Sequence, residues 1–177
     1  MPLTQSAIDA RARALKLLLF DVDGVLTDGS VIVHSDGSES KGFFIRDGLG
    51  LVWAQRAGLQ VGLLSGRHSD VTTRRAAELG ITLLVQGETD KRAAYTQIVT
   101  TNQLKDEQVA YMGDDLLDLP VLARVGLAAA PADAIDEITS RVHWVSRYPG
   151  GRGAVRDFVE MVLRARGRWE SLVRSFV

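Results

Sequence analysis

The 177-residue sequence predicts an α/β fold, a doubly wound parallel sheet of Rossmann-like design, and three observations carry that prediction. Short apolar runs alternate with stretches of helical spacing from residue 15 onward. The runs are continuous rather than alternating in polarity, as expected of strands buried on both faces. Each run leads into glycine, hydroxyl or carboxylate residues, and in an open parallel sheet those positions meet ligands.

Taken in order, residues 1–14 read as a short polar helix or a frayed arm. Strands are expected at 15–20, 61–64, 82–85, 109–112 and 126–129, and helices at 48–57, 69–79, 90–101, 116–123 and 134–138. A β-hairpin over 29–46 interrupts the alternation. Its strands, 30–34 and 39–45, flank Ser35-Asp36-Gly37-Ser38, and Asp-Gly is a strong reversal signal. A lone hairpin is marginal in water. Val31, Val33, Phe43 and Ile45 therefore need a surface to cover them, either the edge of their own subunit or another subunit. Gly150-Gly151-Arg152-Gly153 reads as a flexible joint before an amphipathic helix at 154–166, and the tail over 167–177 shows no decisive pattern. Everything fits one domain over 1–177.

Composition narrows the function. A net charge of −1 with interspersed signs offers no basic face, which argues against nucleic acid. The absence of cysteine excludes disulfides, a thiol nucleophile and thiolate metal sites, so any metal is held by oxygen or imidazole. No stretch approaches the roughly 20 apolar residues of a membrane span, and the start has no leader pattern, so the expected location is the cytoplasm.

The residues with chemistry gather at the strand ends. In LLLFDVDGVLTDG, alternation points Asp21 and Asp23 to the same side of the chain, and two like charges held together call for a cation or a shared proton. LLSGR puts Ser65, Gly66 and Arg67 on the next loop, Lys91 opens a helix after QGETD, and YMGDDLLDLP supplies Asp114, Asp115 and Asp118. Aspartates at strand ends offer the hard oxygen ligands that magnesium prefers. A lysine and a serine beside such an ion can hold the remaining oxygens of a phosphoryl group. With that charge balanced, one aspartate can attack phosphorus, and a second, two residues on, can serve the leaving oxygen and the hydrolytic water.

DVDGVLTDG, LLSGR, Lys91 and GDDLLD, in that order and spread over about 100 residues, resemble the four motifs of haloacid dehalogenase-type phosphatases. The resemblance implies that Asp21 is the nucleophile, Asp23 the general acid/base, and Ser65 and Lys91 the phosphoryl binders. It also implies magnesium ligated by Asp21, the backbone carbonyl of Asp23 and Asp114. The gaps between motifs are too short for a cap domain, so the chain looks like the capless branch. Within that branch the hairpin, FFIRDGLGL, QGETDK, YMGDDLLDLPV and GGRGAVRDF are similar to the 3-deoxy-D-manno-octulosonate 8-phosphate phosphatases of lipopolysaccharide precursor synthesis, over about residues 17–162. That likeness implies homotetramers assembled through the hairpins, with the C-terminal segment near a neighbour's active site.

Substrate contacts are expected from Arg67, which suits a sugar-acid carboxylate, and from Gly66. Thr27 either touches substrate or turns the chain into the hairpin, and Asp28 poses the same choice. Related capless phosphatases of nonulosonate 9-phosphates typically carry an acidic residue where Arg67 stands, which favours the eight-carbon substrate. A phospho-receiver domain is the alternative from another class, and Asp23 together with the Ser-Gly-Arg loop argues against it. Asp115 and Asp118 either support the metal or only begin a helix. Lys41, Arg46, Asp47 and Arg152 read mainly as solvated charges. His34, His68 and His143 lack metal-site spacing, and Trp53, Trp144 and Trp169 read as packing residues.

Overall fold

The computed structural model describes residues 3–177. Helix α1 (Gln5–Ala14) precedes strand β1 (Leu17–Phe20); a short hairpin, β2 (Ile32–Val33) and β3 (Glu39–Ser40), follows; then α2 (Ile45–Arg56), β4 (Gln60–Leu64), α3 (Asp70–Glu78), β5 (Leu83–Val85) and α4 (Lys91–Thr101). The second half runs β6 (Val109–Met112), α5 (Leu119–Leu122), β7 (Leu127–Ala130), α6 (Asp136–Thr139), β8 (Trp144–Val145), α7 (Ala154–Ala165) and α8 (Trp169–Arg174).

Six strands form one parallel sheet in the order β5-β4-β1-β6-β7-β8, and β2-β3 stand apart as an antiparallel pair. Apolar side chains on both faces explain the continuous runs. Leu18 and Phe20 of β1 pack with α1, α2 and α7, whereas Leu17 and Leu19 face α4 and α5 on the other side. The chain winds outward from β1 to β4 and β5, then returns to the other side of β1 with β6. Loops diverge at that reversal, leaving a crevice at the carboxyl end of β1.

Several expectations are corrected. The hairpin pairs only two residues per strand: residues 41–44 leave the pairing as irregular backbone, and α2 begins at Ile45, the last residue of the expected second strand. The helix expected at 116–123 is a 3₁₀ turn, Leu116–Asp118, followed by one turn of α-helix with Pro120 at its start. Strand β8 was not expected; two residues at a sheet edge carry almost no periodicity.

The glycines at 150–153 serve close approach rather than flexibility. A Cβ on Gly150 would lie 1.8 Å from the Gly24 carbonyl oxygen, and one on Gly151 would lie 2.5 Å from the Thr27 carbonyl carbon. Gly151 N–H donates to Val25 O at 2.9 Å, so this segment buttresses the loop that follows β1. Asp47 makes a second tie. From the first turn of α2 it accepts from the N–H groups of Gly153 and Arg156, closing the N-terminus of α7 in place of a local cap. The tail forms α8, whose Trp169 packs edge-on against Trp53 with ring centres 5.9 Å apart. Arg166, between α7 and α8, donates to the Leu15 carbonyl before β1, so the tail docks on its own subunit at the end opposite Asp21.

Candidate active site

Four sheet-end loops converge at the crevice beside β1. Asp21 follows β1 directly, Ser65 follows β4, Lys91 opens α4 after β5, and Asp114 follows β6. Asp21, Ser65 and Lys91 are buried, with Asp23 and Asp114 partly exposed. Lys91 Nζ lies 2.9 Å from Asp21 Oδ2, 2.6 Å from Asp118 Oδ1 and 3.2 Å from the Tyr111 hydroxyl. Burial opposes the ammonium, but Asp21 and Asp118 outweigh it and raise its pKa, so lysine stays charged.

The carboxylates are in the opposite situation. Burial first, then the charge of Asp118, pushes Asp21 up to about 7; burial first, then Asp21 and Asp118, pushes Asp114 up to about 8. Asp114 Oδ1 is buried without a hydrogen-bond partner. One oxygen each of Asp21, Asp114 and Asp118 lie within 4.8 Å of one another. A divalent cation answers all three observations, since it neutralises crowded carboxylates and takes up the orphaned oxygen.

Asp118 has no oxygen to spare for such an ion. Its Oδ1 accepts from Lys91 and Tyr111, and its Oδ2 from the backbone N–H groups of Asp114 and Asp115. It holds the loop that presents Asp114 and fixes Lys91. Asp115 accepts only from Leu116 N–H and Asp118 N–H, as the cap of the 3₁₀ turn. Of the oxygens expected to hold magnesium, those of Asp21 and Asp114 stand together, and the Asp23 carbonyl accepts no hydrogen bond among the described residues. Gly24, at φ +88°, is required here, because a Cβ would sit 2.1 Å from Asp114 Oδ2.

The remaining expected residues divide. Ser65 Oγ accepts from Arg67 N–H, and Gly66 lies on the same turn, so both border the crevice. Arg67 is half exposed and ion-paired to Glu39 of the hairpin at 2.8 Å. Thr27 turns inward instead: its fully buried hydroxyl accepts from Gly24 and Gly29 N–H and donates to Val22 O, leaving nothing for a substrate. Lys41, taken from sequence as a solvated charge, has a completely buried side chain and reaches Asp23 at 2.6 Å. Tyr111 was not singled out at all, although a hydroxyl in a strand buried on both faces is itself a signal for a polar partner.

A parallel sheet with an aspartate at the end of its central strand, an adjacent lysine and a second acidic loop fits the phosphotransferring hydrolases of the haloacid dehalogenase class. The chain belongs to the haloacid dehalogenase-like hydrolase family, whose sequence pattern matches residues 63–157. Among its relatives, the 3-deoxy-D-manno-octulosonate 8-phosphate phosphatase of Yersinia pestis is 44% identical over 160 residues, covering 90% of this chain and 86% of the relative. The corresponding enzyme of Escherichia coli K12 is 42% identical over 159 residues, with 90% and 85% covered. A crystal structure of this phosphatase from Moraxella catarrhalis, in complex with magnesium, phosphate and a KDO molecule, superposes with a TM-score of 0.96 at 33% identity, covering 98% of this chain and all of that one. Among the described residues there is no cap domain, and no helix is long and apolar enough to cross a membrane.

Proposed function

We propose that the chain hydrolyses 3-deoxy-D-manno-octulosonate 8-phosphate to 3-deoxy-D-manno-octulosonate and inorganic phosphate, a step in making the lipopolysaccharide precursor. The observation that carries this is the convergence of Asp21, Lys91 and Asp114 at β1, in a chain alike over nearly its full length to enzymes named for that reaction.

Asp21 attacks phosphorus; a phosphorus–oxygen bond forms to its carboxylate as the ester bond to the sugar oxygen breaks. Asp23 gives its proton to the departing oxygen. A water then loses a proton to Asp23 and attacks phosphorus, releasing phosphate and restoring Asp21. Lys91 and Ser65 hold the phosphoryl oxygens, and Lys91 offsets the charge that builds on them. Magnesium, when bound by Asp21, Asp114 and the Asp23 carbonyl, supplies the remaining neutralisation of the phosphoryl group. Arg67 and Gly66 meet the sugar acid, with the guanidinium taking its carboxylate once Glu39 yields it.

The site is uncapped, and the apolar side chains of Ile32 and Val33 are well exposed at the hairpin. Both features support a homotetramer joined through the hairpins, in which neighbours complete the walls of the site and the C-terminal segment of one subunit comes near the site of the next. A small soluble metabolite as substrate supports a cytoplasmic location for the reaction.

Phosphate release from eight- and nine-carbon sugar-acid phosphates in the presence of magnesium tests the assignment. Wild type is expected to turn over the eight-carbon ester best, and Asp21→Asn none of them. Arg67→Ala is expected to lose discrimination between sugar-acid phosphates and simple phosphate esters while still releasing phosphate. A single turnover without steady release would instead identify a phospho-receiver.

A further inference from the structure

The side chain of Lys41 is fully withdrawn from solvent, whereas its partner Asp23 keeps 23% of its side-chain surface open. An ammonium removed from water needs an anion beside it, and the carboxylate that Lys41 Nζ reaches is that of Asp23. The contact is to Oδ1; Oδ2 has no hydrogen-bond partner among the described residues. The ammonium thus holds one oxygen of the carboxylate and leaves the other free.

Chain geometry explains why the lysine comes from the hairpin. Glu39 lies in β3, and Lys41 follows directly after the strand's last residue, Ser40. Glu39 accepts from Arg67 Nη2 and from the Ser69 hydroxyl, while Lys41 donates to Asp23. The hairpin is thereby registered on two different loops of the site. Ile32 and Val33 of its first strand are left exposed, while Glu39 and Lys41 turn to the site.

We propose that Lys41 is a positioning residue for the proton-transfer step: it holds Asp23 in one orientation by Oδ1 and leaves Oδ2 free to serve the leaving oxygen. This rests on Asp23 being the general acid. Proton donation matters most when the leaving oxygen is basic, so the role predicts a dependence on leaving group that a purely structural lysine would not produce.

The test is kcat/KM for a series of aryl phosphates, from p-nitrophenyl phosphate to phenyl phosphate, with magnesium, for wild type, Asp23→Asn, Lys41→Met and Lys41→Arg. For Lys41→Met and Asp23→Asn the plot of log kcat/KM against leaving-group pKa is expected to steepen. Phenyl phosphate should lose on the order of 10-fold more than p-nitrophenyl phosphate, and Lys41→Arg should recover part of the difference. Parallel lines for wild type and Lys41→Met, with a steeper line for Asp23→Asn, would overturn the role of Lys41 alone. A parallel line for Asp23→Asn would remove the general acid itself and the proposal with it. If Lys41→Met fails to fold by circular dichroism, Lys41→Gln and Lys41→Arg supply the slopes.

Discussion

Asp118 Oδ1 lies 2.6 Å from Lys91 Nζ, and both side chains are almost wholly withdrawn from solvent. Every contact that Asp118 makes is with a donor: the ammonium, the Tyr111 hydroxyl and two backbone N–H groups. An amide would have to turn its NH₂ toward one pair of donors. Asp118→Asn is therefore expected to cost about 3–5 kcal/mol in denaturant unfolding. It should also lower kcat more than it raises KM, because Lys91 loses the anchor that aims it at the phosphoryl group. Unaltered stability and kcat would show that Asp118 only starts the turn.

Stability should respond to pH in a direction that metal reverses. Asp21, Asp114 and Asp47 have folded-state pKa values near 7, 8 and 6, raised in each case first by burial, against an ordinary value of 3.8. The native state then binds more protons than the unfolded chain between those limits. The stability these groups contribute is complete below about pH 4 and is lost as pH rises through about 6 to 8. In chelator, Tm is expected to fall from pH 5 to 8.5; magnesium should suppress much of that fall by favouring ionised Asp21 and Asp114. A flat or rising Tm in chelator would contradict the crowded, desolvated carboxylates.

Thr27 separates a loop-holding role from substrate contact. Because its hydroxyl serves Gly24, Gly29 and Val22, Thr27→Val should lower stability by about 1–3 kcal/mol and leave KM for the sugar-acid phosphate near its original value. A KM raised tenfold with unchanged Tm would return Thr27 to the substrate.

For the hairpin, Ile32 is 62% and Val33 73% exposed. Light scattering at micromolar concentration should give a mass near four times the 19.3 kDa chain. Val33→Glu should shift the population to smaller species, since a charge buried between subunits lacks a partner. A monomeric wild type would sink the assembly.

Much of the site was legible because its chemistry is local. Asp21 and Asp23, the Ser65 turn, Lys91 at a helix start and Asp114 after a buried strand each carry their own sequence context, and the parallel sheet brings strand ends together wherever they fall. Lys41 and Glu39 were not legible as site residues, since a charge at a short hairpin looks the same whether it meets water or a carboxylate 18 residues away. The glycines at 150–153 were misread for a similar reason. Glycine permits both mobility and close contact, and only the loop packed against them distinguishes the two.

The amino-acid order by itself determined the α/β class, the central strand, which acidic and basic residues stand at the strand ends and the absence of a cap, because apolar periodicity and motif spacing are properties of neighbouring residues. Tertiary structure alone decided that Asp118 serves Lys91 rather than a metal, that Thr27 serves its own loop, that Asp47 caps a helix more than 100 residues later, and that Lys41 grips Asp23. Those roles depend on which donor faces which acceptor after the chain has closed, and burial makes each such pairing count.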